Sequence, residues 1–278
     1  MWVAHLRALS YIGTKQIFRR MPRRHCDLLN VFMLTAAILG FGLFVFVESR
    51  VPSPLIRMTL FRDRALSAGL TMSTLVSTVV MATLVVGPFY LARALGLQAA
   101  LVGLVMSVGP LVAALTGVPA GRLADRFGTE GITLAGLIGI AAGAVSLSII
   151  PASFGIAGYL GPIVVVTACY ALFQTANNTA IMREVRADQR GVISGILNLS
   201  RNLGLITGAS VMGAVFSLAA ATNDIATAHP EAVATGMRST FAVASVLILI
   251  ALVISMKSRA KPALTNASYS PAGLPVAR

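Results

Sequence analysis

Between residues 29 and 256 the chain alternates long apolar runs with short segments that hold nearly all of its charge. Seven runs can be drawn, at about 29–47, 65–91, 99–120, 132–150, 156–181, 191–220 and 241–256. Most reach or approach the roughly 20 residues that an α-helix needs to cross a hydrocarbon core. Short segments of alternating polarity, the signature of a membrane β-barrel, are not the pattern here. The fold expected is an all-α polytopic membrane protein. Gly87-Pro88 is read as ending the second run, and Pro151 as stopping the fourth. Gly109-Pro110 should kink the third, with neighbouring groups satisfying the freed carbonyl. A polar loop is expected from the end of the sixth run to Thr240.

One short, charged interruption is Gly121-Arg122-Leu123-Ala124-Asp125-Arg126-Phe127-Gly128. Pinned between two apolar runs, it reads as a loop at the membrane surface, with a glycine at each end to permit a tight reversal. The remaining polar segments are a basic tail (1–28), a link (48–64), a charged loop (182–190) and a small-residue, proline-containing tail (257–278) expected to be disordered. In the link, Pro52 and Pro54 break helix continuation, and Leu55, Ile56, Leu60 and Phe61 suit a short interfacial segment.

Composition agrees with the pattern. The chain has 278 residues, 56% hydrophobic and 11% charged, against about 25% charged in soluble domains. A net charge of +13 would suit nucleic acid, but no basic patch interleaves with aromatics, and basic residues collect in the cytoplasmic loops of membrane proteins. The partners expected are therefore a lipid bilayer and a small molecule, with no nucleic acid. Cys26 and Cys169 lack metal-ligand spacing, and His5, His25 and His229 are scattered. No metal site, catalytic constellation or enzyme activity is expected. Seven spans put the termini on opposite sides. With the C-terminus inside, Arg50, Arg57, Arg62, Arg64, Arg122, Arg126, Arg183, Arg186, Arg190, Lys257, Arg259 and Lys261 face the cytoplasm, twelve against the outer Arg93 and Arg238. That leaves Arg7, Lys15, Arg19, Arg20, Arg23 and Arg24 outside. Either the first run does not span, or residues 1–28 are not a native beginning; the second is preferred.

The polar residues inside the runs are the candidate site. Arg201 is the only charge well inside a span, eleven residues beyond Arg190, or about 16 Å at helical rise. A charge there is costly unless paired or hydrated, and commonly marks a pathway. Asn198, Arg201 and Asn202 share one helix face, as do Gln174, Asn177 and Asn178 on the preceding run. Counted from the turn between them, Asn198 is level with Gln174, and Arg201 lies near Tyr170. Two readings stay open for the amides: the wall of a substrate path, or hydrogen bonds that glue helices at about 1 kcal/mol each. For Arg201 a substrate path is preferred to such glue, and a third reading pairs it with an acidic residue on a missing half. Ser67, Thr71, Thr74 and Thr78 form a second stripe, read as structural. Met72, Met81 and Met106 are read as core filler. The pairs Gly191/Gly195, Gly204/Gly208, Gly139/Gly143 and Gly117/Gly121 are read as close-packing positions. No carboxylate lies inside a run: Glu48, Asp63, Asp125, Glu130, Glu184 and Asp188 are all at surfaces. A proton carrier is thus not evident.

The segment Gly121-x-Leu123-Ala124-Asp125-Arg126-x-Gly128 resembles the signature loop of the major facilitator superfamily. Glu48-x-Arg50 with Pro54-Leu55 and Phe61-Arg62 resembles the link into the second six-helix bundle of its fourteen-helix drug:proton antiporters, and Asp188-x-Arg190-Gly191 the start of their penultimate helix. The resemblance implies multidrug or small-molecule efflux in a bacterial-type inner membrane, with no bound cofactor and a proton gradient as driving force for an intact member. It implies one linker helix (29–47) and the C-terminal six-helix bundle (65–256), with the other half missing or replaced by a second copy. It implies gating by Gly121, Asp125, Arg126 and Gly128, with Asp125 latching onto a helix N-terminus of the opposite half. Thr129 and Glu130 depart from the basic residues usual after the second glycine. The family's glycine-proline antiporter motif has a counterpart only in Gly204–Ala209, with Ala209 in place of proline.

Overall fold

A computed structural model describes residues 63–183, 185–221 and 229–259, and helical residues within 31–47. The chain divides into two units, residues 1–57 and 58–278. In the first, the described residues are helical. The run at 29–47 lies partly outside the described residues. The basic tail, Cys26 and the 48–62 link lie wholly outside them, as do Glu184 and the last nineteen positions, 260–278.

Among its described residues the second unit contains six helices of membrane-spanning length. They are α1 (Arg64–Phe89), α2 (Ala99–Phe127), α3 (Thr129–Ile149), α4 (Gly155–Arg183), α5 (Arg190–Ala219) and α6 (Pro230–Arg259). No strand occurs among the described residues. Asp63 starts α1 as an N-cap, its carboxylate accepting from the amides of Ala65 (2.8 Å) and Leu66 (3.5 Å). Gly87-Pro88 does not end the span. The helix passes through Pro88 and runs on into a π-helical turn, Tyr90–Ala94, that continues the span to Ala94.

Two further sequence expectations are corrected. Residues 121–127 are not a loop: α2 continues through them, and the reversal is made at Gly128 alone, at φ 82°. A Cβ on Gly121 would meet nothing within 4 Å, so that glycine serves neither a turn nor, with Gly117, a close approach within this unit. The reason is local: Arg122, Leu123, Ala124 and Arg126 are good helix formers, and only one residue must adopt positive φ. The polar segment before Thr240 is likewise helical from Pro230. Proline suits the first helical position, and Val233, Met237 and Phe241, four apart, are all buried, so an apolar face begins two turns earlier than the run suggests.

The core gathers Val76, Val79, Val86, Leu137, Ile140, Phe173, Phe216, Phe241 and Ile248 from α1, α3, α4, α5 and α6. α3 packs tightly on α4, and α1 on α5. Glycine allows both contacts. A Cβ on Gly136 would lie 2.8 Å from the Phe173 nitrogen, and one on Gly143 2.5 Å from Val166 Cγ2. A Cβ on Gly208 would lie 2.6 Å from the Thr78 carbonyl oxygen, and one on Gly204 would overlap that of Thr74. Hydroxyls complete the α1–α5 seam. Thr78 Oγ1 donates to the Gly204 carbonyl (3.0 Å), Ser200 Oγ donates to that of Leu70 (2.6 Å), and Thr74 and Ser200 hydroxyls lie 2.9 Å apart. The Thr74/Thr78 part of the hydroxyl stripe is therefore helix-joining. Met72 is buried in the core.

Candidate functional site

α4 and α5 follow each other in sequence but touch little, because α1 packs against α5 along its length and also meets α4. The gap between α4 and α5 is a cavity of about 330 Å³, bounded on the α1 side by Ser73. Gln174, Asn178 and Met182 line it from α4, at the i, i+4, i+8 spacing of one helix face. Ser194, Gly195, Leu197, Asn198 and Arg201 line it from α5. The polar belt expected from sequence thus exists, across a gap with α1 at one side rather than along a packed helix pair.

Arg201 and Gln174 meet across this gap. With the amide oriented to satisfy both neighbours, Gln174 Oε1 accepts from Arg201 Nη1 (2.8 Å) and Nε (3.3 Å), and Gln174 Nε2 donates to the Tyr170 hydroxyl (2.6 Å). Arg201 therefore reaches Gln174 directly and Tyr170 through it. No carboxylate pairs with Arg201 among the described residues.

The six amide and arginine candidates separate into three groups. Gln174, Asn178, Asn198 and Arg201 line the cavity. Asn177 does not: it is buried, and its Nδ2 donates to the Gly69 carbonyl of α1 at 3.2 Å. Asn202 is exposed and outside the cavity lining. The glycines divide too. Gly204 and Gly208 are packed, whereas a Cβ on Gly191 or Gly195 would meet nothing within 4 Å, so the close-packing expectation for that pair fails within this unit. Gly195 instead leaves space at the cavity wall. Sequence reading missed Ser73, Met182, Ser194 and Leu197; stepping four residues forward from Asn178 and four back from Asn198 would have found Met182 and Ser194.

At the α2–α3 corner, Asp125 faces Arg183 of α4 at 3.9 Å, both side chains more than half exposed, rather than pairing with its neighbours Arg122 or Arg126. The Arg126 guanidinium lies 5.4 Å from the Phe127 ring centroid. An exposed pair of this kind contributes about 0.5 kcal/mol or less. Asp125→Asn is therefore expected to leave the melting temperature of the solubilised chain almost unchanged. A drop of many degrees would assign Asp125 a structural role that its exposure does not support.

Residues 28–209 match the Major Facilitator Superfamily. The chain belongs to that family. A riboflavin transporter of Clostridioides difficile is 23% identical over 82% of this chain and 50% of its own length. The multidrug resistance protein Stp of Mycobacterium tuberculosis is 28% identical over 68% of this chain and 35% of its own. An uncharacterised Escherichia coli transporter, YebQ, is 30% identical over 61% and 37% respectively. This major facilitator chain thus spans half or less of the length of these relatives. It is an integral membrane protein of a transport family, and the cavity is lined by α1, α4 and α5.

Proposed function

We propose that the chain forms part of a small-molecule efflux transporter of the multidrug type that works by alternating access, and that the α4–α5 cavity is one wall of its substrate path. The observation that carries this reading is Arg201, a charge inside a span that opens on a polar cavity and, among the described residues, meets the Gln174 amide and no carboxylate. A charge placed within a span is a costly way to join helices. Relatives named for multidrug and quinolone resistance support export of organic molecules. Family transporters bind near the bilayer midplane between two bundles that rock about the site. The opposite wall comes from the remaining half of a longer transporter or from a second copy. The basic-residue count supports a cytoplasmic C-terminus in a bacterial-type inner membrane, with Asp125 at the inner surface as the latch on the opposite half.

Proton drive is consistent with the antiporter resemblance. Among the described residues, Asp63, Asp125, Glu130, Asp188 and Glu231 all lie at or just beyond helix ends. The carrier of a proton-driven transporter is accordingly assigned to residues outside this set.

Arg201→Ala is expected to lower efflux from cells at least about tenfold, the effect of 1.4 kcal/mol, while insertion and abundance stay normal. Unchanged efflux would overturn the reading. It would favour a membrane scaffold that packs and transports nothing, a reading supported by the absence of an intramembrane carboxylate among the described residues.

A further inference from the structure

The transport reading leaves the chemical class of the substrate open, and the charge balance of the cavity narrows it. Of the side chains lining it, Arg201 alone is charged; Ser73, Gln174, Asn178, Ser194 and Asn198 are neutral, and Met182 and Leu197 are apolar. A lipophilic cation would find no counter-charge on this wall and one like charge.

The guanidinium has five N–H donors in a planar fork. The Gln174 amide oxygen occupies positions on Nη1 and Nε. Nη2 has no partner among the described residues, and Arg201 is exposed at the cavity. Gln174 is itself held by the Tyr170 hydroxyl, so it fixes the guanidinium from one edge and leaves another edge open. A carboxylate bonds such a fork through two parallel contacts, and charge-assisted bonds of this type are about twice as strong as neutral ones. Asn198, one turn from Arg201 on the same face, adds a neutral donor. Met182 and Leu197 offer an adaptable apolar surface for the rest of the molecule.

Resting on the transport reading, we infer that the cavity takes an organic anion or zwitterion: a carboxylate on an apolar, ring-sized body, with the carboxylate on Arg201 and the body along Met182 and Leu197. Arg201 acts as an anion receptor held in aim by Gln174. The preference is for charge and geometry together, so lysine is an imperfect substitute.

The test is equilibrium binding of three labelled probes to the full chain in lipid nanodiscs: nalidixic acid, its ethyl ester and tetraphenylphosphonium. The acid is expected to bind the unaltered chain at least about tenfold more tightly than the ester, with tetraphenylphosphonium a weak competitor. Arg201→Gln should erase the acid–ester difference, and Arg201→Lys should keep part of it. The acid–ester comparison needs no variant, so it stands even where Arg201→Gln fails to fold. Equal binding of acid and ester, tighter binding of the cation, or binding of none of the three would overturn the inference. Flux through the same chain in vesicles separates this from the parent reading. Acid bound but never moved would defeat transport and leave the anion receptor standing. Transport of the ester or the cation in preference to the acid would do the reverse.

Discussion

Gly204→Ala is expected to be among the most damaging single-methyl additions to this chain, and Gly191→Ala, thirteen residues earlier on the same helix, to be harmless. A Cβ on Gly204 would overlap the Thr74 carbonyl oxygen and lie 2.8 Å from Ser77 Cβ. The first of these is backbone, so no rotamer change relieves it. α1 and α5 must part, and parting them also stretches the Thr78–Gly204 and Ser200–Leu70 hydrogen bonds. Overpacking costs about 1–3 kcal/mol in well-packed cores, and the hydrogen bonds place this site toward the upper end. In a domain of this size that is roughly 4–10 °C of melting temperature. Gly191 has open space, so alanine there adds helix propensity, up to about 1 kcal/mol in favour of the helix. Thermal melts of the two variants in detergent, followed by circular dichroism, check the contrast. Equal melting temperatures would mean that α5 does not seat on α1 as described.

The adjacent amides of α4 should respond in opposite ways. Asn177 is 3% exposed and holds the Gly69 carbonyl, whereas Asn178 looks into the cavity. Asn177→Ala removes a buried hydrogen bond and leaves a void, so a loss of about 2 kcal/mol in stability is expected. Its effect on transport should follow only from the amount of folded protein. Asn178→Ala should leave stability within about 0.5 kcal/mol and lower substrate affinity roughly fivefold, the worth of one hydrogen bond of about 1 kcal/mol. Measuring melting temperature and flux on both variants resolves the pair. A destabilised Asn178→Ala with unchanged substrate affinity would turn the cavity amide into another helix joint.

These neighbours also show what could be read before the structure was seen. The spans were legible because bilayer thickness demands long apolar runs, whatever the tertiary contacts. Their ends were less so. The first turns of α6 are too polar to register as a run, although Val233 and Met237 already continue its buried face. The segment 121–127 carries enough charge to suggest a loop, yet apart from Gly121 its residues accept a helix readily. Within the site, periodicity placed Gln174 and Asn178 on one face of a helix. It could not assign Asn177, about 100° away, to a different neighbour, because that depends on α1 packing between α4 and α5. The glycine pairs carry the same lesson. Gly191/Gly195 and Gly204/Gly208 have identical spacing on one helix, and only the second pair meets a neighbouring backbone. Arg201 stood out because charge inside a span is rare for energetic reasons that need no fold.

The joint at Gly128 sets how freely the spans can move. α2 ends at Phe127 and α3 begins at Thr129, so one residue connects two rods, and their ends can never be more than about 7 Å apart. α1 and α2 are joined through the four residues Leu95–Gln98, and α3 and α4 through the five residues Ile150–Phe154. Slack is therefore unevenly distributed around the bundle. Whatever displaces the Asp125 corner must drag the start of α3 with it, and α3 is seated on α4 through Gly136 and Gly143. A pull at that corner is delivered to the helix that carries Gln174, with almost no chain to absorb it on the way.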